Sequence, residues 1–417
     1  MKKGFLITLM LVCMVLSACS AKSGKVAAED ESLDDPGYSS SEVTRHDPLL
    51  SEYGDLNEFC YQVFANGMDE TNPVLSPVSA YIALAMVTDG AREETRTELL
   101  KVLGENYNSI SGDVIATFPD KQETGQLLMA NSVWFDKSTS GKISDEYVSG
   151  LEQIYEAQIY ARDLATEDTQ KEVNKWVSRN TNEMINEILE KPFPDDVRMA
   201  LFNAVYFEGR WEKPFSERRT QKGAFTLEDG TSVETDMMKQ QMVRYRYYDG
   251  EYFEGIIMPY EDSSYSFIVM LPKEGEKVRD MYEAFDMQML GRVIDYAEYE
   301  SINLQMPKFE ISSEKDLIED LQSMGVMLAF SDEADFSGIT GNTGLQISQV
   351  TQKAVFAVDE EGTKAAAVTE AAAAETAVFD EEAVEFDLNR PFLYMIVEKN
   401  SCVTLFIGIM DDPTAGF

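Results

Sequence analysis

The chain has 417 residues, with 75 acids against 35 Lys and Arg and a formal charge of −40, and its 44% hydrophobic content suffices for a large buried core. So negative a chain repels nucleic acid, anionic lipid and polyanionic activators. The lone histidine, His46, lies in a polar N-terminal stretch, which excludes Ser-His-Asp or Cys-His catalysis and histidine-ligated zinc in a folded domain.

At the N-terminus, Lys2 and Lys3 precede an apolar run from Phe5 to Val15 and then Leu16-Ser17-Ala18-Cys19. The run is too short to span a bilayer, and the small residues before a cysteine have the form of a bacterial lipoprotein signal. Removal of residues 1–18 would leave Cys19 as an acylated, palmitate-bearing N-terminus, tethering the protein outside the cytoplasm to a bacterial membrane. Residues 19–50, rich in Ser, Ala, Gly and acids, read as a disordered tether, and 51–417 as one domain. Of the four cysteines, Cys13 lies in the signal and Cys19 at the lipid site; whether Cys60 and Cys402 pair stays open.

Leu56, Phe59, Cys60, Val63 and Phe64 recur at helical spacing, with Asp55 and Glu58 placed as a capping box, and predict a helix ending near Gly67. In 72–90, Ser76 is the expected N-cap and Pro77 the first residue of a helix apolar on every side, hence buried. Residues 91–104 predict an exposed helix closed by Gly104, and 127–135 a buried strand carrying the polar pair Asn131-Ser132. An amphipathic helix is expected over 169–189, stopped by Lys191-Pro192. A strand beginning at Ala200 is expected to leave its sheet at Gly209, and strand patterns recur at 255–259, 265–272, 301–306, 353–358, 392–397 and 402–410. Helices clustered early and long strands later describe an α+β domain with more than one sheet.

No P-loop or dinucleotide glycine pattern occurs, and 332–338 does not match a calcium loop, so neither cofactor nor metal is expected. The segment 359–376, D-E-E-G-T-K-A-A-A-V-T-E-A-A-A-A-E-T, stands apart. Read with a period of two, Thr363, Ala365, Ala367, Thr369, Ala371 and Ala373 share one face, while Lys364 and Glu370 fall on the other. Such a segment could slide between strands, its small side chains inward; its Ala, Glu and Lys content equally suits an exposed helix.

The flanks add more. E-E-G-T with the alanine run, then F-D-L-N-R-P-F-L-Y-M-I-V ending at Val397 and F-I-G-I-M-D-D-P ending at Pro413, resemble the hinge, reactive loop and C-terminal strands of the serpins, the conformational protease inhibitors. N-P-V-L-S-P-V-S is similar to that family's shutter region, carried here by Ser76, Ser79 and Asn203. F-N-A-V-Y-F-E-G-R-W-E-K-P-F is similar to its breach, with Trp211, and Lys308 and Glu360 occupy the positions of an ion pair at the top of the gap. One departure is Gln352, where many serpins carry a shutter histidine, so acid-triggered control of loop insertion is not expected there.

The resemblance implies a serpin fold of about nine helices around three β-sheets, with an exposed reactive loop over about 359–386. It implies a monomeric inhibitor that is not an enzyme. A protease would cut the loop, the hinge (Glu360, Glu361, Gly362, Thr363, Ala365, Ala366, Ala367) would insert into the main sheet, and the acyl-enzyme would be trapped. The implied scissile bond is Thr376-Ala377, with Ala377-Val378 and Phe379-Asp380 as alternatives because the following stretch is longer than usual. Thr376 and Ala377 suit elastase-like or subtilisin-like serine proteases, Phe379 a chymotrypsin-like one, and a cysteine protease stays open; no Arg or Lys lies between Glu370 and Asn389 to serve an arginine-specific enzyme. The alternatives are a non-inhibitory serpin-fold carrier or decoy and an unrelated tethered binding protein.

Overall fold

The computed structural model describes residues 51–66, 71–118, 121–122, 125–139, 143–261, 264–284, 287–363 and 383–415, which form ten α-helices and sixteen strands. Five helices come early: α1 (Gly54–Ala65), α2 (Pro77–Thr88), α3 (Glu93–Leu103), α4 (Tyr107–Thr117) and α5 (Asp145–Ile154). Then follow α6 (Glu167–Asn180), α7 (Val278–Ala284), α8 (Met287–Tyr296), α9 (Ile318–Ser323) and α10 (Ser337–Thr340). The strands are β1 (Val74–Leu75), β2 (Lys121–Gln122), β3 (Gly125–Asp136), β4 (Gln158–Arg162), β5 (Met199–Arg210), β6 (Gln221–Thr226), β7 (Ser232–Asp249) and β8 (Phe253–Pro259). The second half adds β9 (Tyr265–Pro272), β10 (Glu298–Pro307), β11 (Phe309–Asp316), β12 (Gln349–Val358), β13 (Gly362–Thr363), β14 (Val384–Asp387), β15 (Phe392–Glu398) and β16 (Thr404–Met410).

Every residue of α2 is buried, as its lack of a polar face requires. The capping box expected for α1 does not form: Tyr53 is the N-cap and makes no side-chain cap, while Asp55 sits in the first turn, where its charge meets the positive end of the helix dipole. The helix expected over 169–189 is also shorter, because Asn182 (φ 48°) and Glu183 (φ 63°) turn left-handed and end α6 at Asn180. Asn174 holds the returning chain instead, accepting from the amides of Ile188 and Leu189 at 3.0 and 2.9 Å.

A nine-stranded sheet runs β1-β16-β15-β9-β8-β7-β10-β14, with β6 also on β7. A seven-stranded sheet runs β11-β12-β13-β5-β3-β2, with β4 on β3. The three expected sheets thus appear as two hydrogen-bonded networks, because β7, 18 residues long, pairs successively with β6, β10 and β8 and joins what shorter strands would separate. Strand periodicity places the seven-stranded sheet between two apolar layers. Met199, Leu201, Val205 and Phe207 of β5 enter the main core, whereas Ala200, Phe202 and Ala204 pack with Trp134, Trp176 and Phe193 beneath α6.

Candidate functional site

The seven-stranded sheet contains a slot. Strands β12 and β5 are parallel neighbours but pair only at one end, Gln349, Val350 and Thr351 with Ala200, Leu201 and Phe202. At the other end β13 lies between them, antiparallel to both: Thr363 pairs with Val358 and Gly209, and Gly362 with Arg210. Strand β5 therefore runs one residue past Gly209, the expected exit, because β13 offers it a partner. No ladder joins 352–357 to 203–208 among the described residues. A Cβ on Gly362 would sit 2.0 Å from the Gly209 carbonyl oxygen, so β13 enters only because this residue has no side chain.

The chain reaches that point through a turn fastened by its own first residue. Asp359 Oδ1 accepts from the amides of Glu361 and Gly362 at 2.9 and 3.1 Å. Trp211 grips the turn twice, its backbone N–H donating to Glu361 O at 2.9 Å and its indole N–H to Asp359 O at 3.0 Å. The Phe215 amide donates to Glu360 O at 2.7 Å. The Glu360 side chain, 8% exposed, accepts from Lys308 Nζ and Thr220 Oγ1, each at 2.7 Å. Burial alone would raise its carboxyl pKa, but the hydrogen bonds from Lys308 and Thr220 outweigh that and hold it below the usual range. Thr363 is buried, with its hydroxyl 2.6 Å from Tyr260 OH, and the Tyr260 ring stacks on Trp211 with centroids 4.8 Å apart.

At the zipped end the start of α2 grips both strands. Gln352 on β12 takes Ser76 by both backbone groups, its Oε1 accepting from the amide at 2.7 Å and its Nε2 donating to the carbonyl at 2.8 Å. The Ser76 hydroxyl is buried without a hydrogen bond, so Ser76 acts here through its backbone. On the β5 side Ser79 Oγ donates to Asn203 Oδ1, Asn203 to Asn131 at 2.5 Å, and Asn131 to the Tyr155 carbonyl at 2.9 Å.

The two groups picked from sequence thus sit at opposite ends of one slot: Glu360, Glu361, Gly362, Thr363, Trp211 and Lys308 at the entry, and Ser76, Ser79, Asn203 and Gln352 at the closed end. Ala365, Ala366, Ala367, Thr376, Ala377, Val378, Phe379 and Cys19 lie outside the described residues. Sequence reasoning missed Asp359, Thr220 and Tyr260; only Asp359, three residues before a glycine, carried a legible turn signal. Cys60 and Cys402 are both buried and are not joined to each other, which answers the open question of their pairing.

A family model described as serpin, serine protease inhibitor, matches residues 55–413. The chain belongs to the serpin family. Serine proteinase inhibitor A3K of Cavia porcellus is 29% identical over 363 residues, covering 85% of this chain and 87% of that protein. Among solved serpin-fold structures, the thermophilic serpin tengpin in its native state superposes with a TM-score of 0.79 at 30% identity, covering 87% of this chain and 95% of tengpin. Human thyroxine-binding globulin, complexed with thyroxine, gives 0.79 at 26%, covering 88% and 100%. Protease inhibition is therefore the activity named among the relatives of this serpin, with a protease as partner.

Proposed function

We propose that this serpin is a suicide-type protease inhibitor in which β13 is the first step of a strand that completes the slot. The observation that carries the reading is a two-residue antiparallel strand wedged between parallel neighbours whose own ladder survives only at the far end. Continued in the same register, each further loop residue steps one position back along both walls. Ala367 would then face Ala354 and Val205, Thr369 would fall between Gln352 and Asn203, and Lys364 would face outward opposite Glu208. Small inward side chains are what this course demands, since Val205 and Phe207 already belong to the core. Residues from Glu370 onward would have to displace the ladder that now joins β12 to β5.

In this reading a protease attacks the Thr376 carbonyl, forms an acyl-enzyme and releases the new amine at Ala377. Freed at one end, the loop inserts, each added backbone hydrogen bond contributing roughly 0.5–1.5 kcal/mol net. About 14 inserted residues at about 3.3 Å each would carry the enzyme roughly 45 Å and distort it before water deacylates the ester. Elastase-like and subtilisin-like proteases fit Thr376 and Ala377, and a lipid on Cys19 would hold the inhibitor to the outer side of a bacterial membrane.

A carrier role is the second reading, favoured by the likeness to thyroxine-binding globulin. Incubation with pancreatic elastase and with subtilisin separates the two. A covalent complex surviving SDS, near one inhibitor per enzyme, supports inhibition; cleaved chain without complex at every ratio sinks it.

A further inference from the structure

Four residues before Ser76 the chain makes a turn that the closed end of the slot depends on. Asn72 has its backbone in the left-handed region, φ 52°, which asparagine tolerates better than most residues. It is buried, and the groups that hold it belong to the C-terminal tail. Its Oδ1 accepts from the amides of Asp411 and Asp412, each at 2.8 Å, and its Nδ2 donates to the carbonyls of Asp412 and Ala415 at 2.7 and 3.2 Å. All four hydrogen-bonding positions of the side-chain amide are thus taken by the backbone that follows β16. The Asn72 N–H donates in turn to Asp411 Oδ2 at 3.2 Å.

The residues after Asn72 leave no slack. The Ile409 amide donates to the Pro73 carbonyl at 3.0 Å, and Val74 and Leu75 of β1 pair with Gly408 and Ile407. A Cβ on residue 408 would sit 2.9 Å from the Pro73 carbonyl oxygen, so the strap lies this close to β16 because that residue is glycine. Ser76 comes next, and Gln352 of β12 holds both its backbone groups. Strands β1 and β16 belong to the nine-stranded sheet and β12 to the seven-stranded one, so residues 72–76 tie the C-terminal tail to one wall of the slot. With every step of the strap bonded, a displacement of the tail passes to Ser76 and is not absorbed on the way.

We propose that Asn72 is a positioning residue that couples the C-terminal tail to the closed end of the slot. The tail fixes where the Ser76 backbone stands, and that backbone, not the Ser76 hydroxyl, is what Gln352 grips. Loosening the tail therefore loosens the hold on β12 beside its ladder with β5. The coupling does not depend on protease inhibition, because it is built into the uncut chain and is read without a protease.

Hydrogen exchange of the full chain, followed by mass spectrometry under native conditions, tests it. Asn72→Gly removes the side-chain amide and leaves a residue at ease with a positive φ. Exchange should quicken by about tenfold or more at 76–82 and 349–355, to which the Asn72 side chain makes no hydrogen bond, while 209–215 and 359–363 at the entry exchange as slowly as in wild type. Where that variant does not fold, deletion of 413–417, which takes away the Ala415 acceptor and leaves β16 whole, should give the same pattern at several-fold. Quickening confined to 71–75 and 407–412 would overturn the coupling. So would a uniform rise that includes the entry, since that reports only a less stable fold.

Discussion

The two ends of the slot solve one problem with different chemistry. At the entry, β13 is held by charge and by a strap of backbone hydrogen bonds around Trp211, with Glu360 between Lys308 and Thr220. At the closed end the fastening is neutral: amide and hydroxyl groups of Gln352, Ser79, Asn203 and Asn131, anchored to the start of α2. A charged latch responds to pH and salt, whereas an amide clamp does not. On this contrast pH and salt act on the entry and leave the closed end unchanged.

The largest effect should come from blocking the entry. Thr363 is buried beside Tyr260, so Thr363→Arg would put an unpaired charge under the incoming strand. Cleavage without SDS-stable complex is expected for that variant, and retained stoichiometric inhibition would refute the role given to β13. Next comes the closed end: Gln352→Leu leaves the buried Ser76 amide without a partner, at about 1–3 kcal/mol, and takes one of two donors from the Ser76 carbonyl, which keeps the Ala80 amide. An unchanged urea midpoint would show that the clamp bears no load.

Glu360→Ala should cost less, about 1–2 kcal/mol, since Lys308 is 46% exposed and partly screened by water. A cycle with Lys308→Ala isolates the pair, and a coupling energy near zero would remove the latch from the comparison. The pH response is smaller and has a definite sign. Because the folded Glu360 carboxyl titrates below its ordinary value of 4.5, its contribution is present above that pH and fades as the pH falls through the folded value. Acid melts of wild type and Glu360→Gln should therefore converge as the pH falls through the folded value of Glu360, below 4.5, whereas the Gln352→Leu variant keeps the wild-type slope. Parallel wild-type and Glu360→Gln profiles would contradict the assignment.

How much of this was legible depended on the range of the interaction. The start and burial of α2 could be read from Pro77 and an uninterrupted apolar stretch, because local sterics and hydrophobicity decide both. The end of α6 could not, because nothing in the residue types of Asn182 and Glu183 dictates two successive left-handed conformations; the contacts of Asn174 with the returning chain supply the reason. Lys308 and Glu360, 52 residues apart, were matched through family resemblance and not through any periodicity. Tyr260 carried no signal at all, since its role exists only where Trp211 and Thr363 meet.

By itself, then, the amino-acid order determined which segments are apolar enough to be buried, that an α+β domain follows a polar N-terminal stretch, and that the side chains after Gly362 are small enough to enter a sheet. Only the tertiary structure decided that the sheet is parted, that it is parted between β12 and β5, and that the two-residue start of a strand already stands in the opening. The physical reason is that patterns along a chain report burial one residue at a time, whereas the absence of a ladder between two strands is a property of segments more than a hundred residues apart.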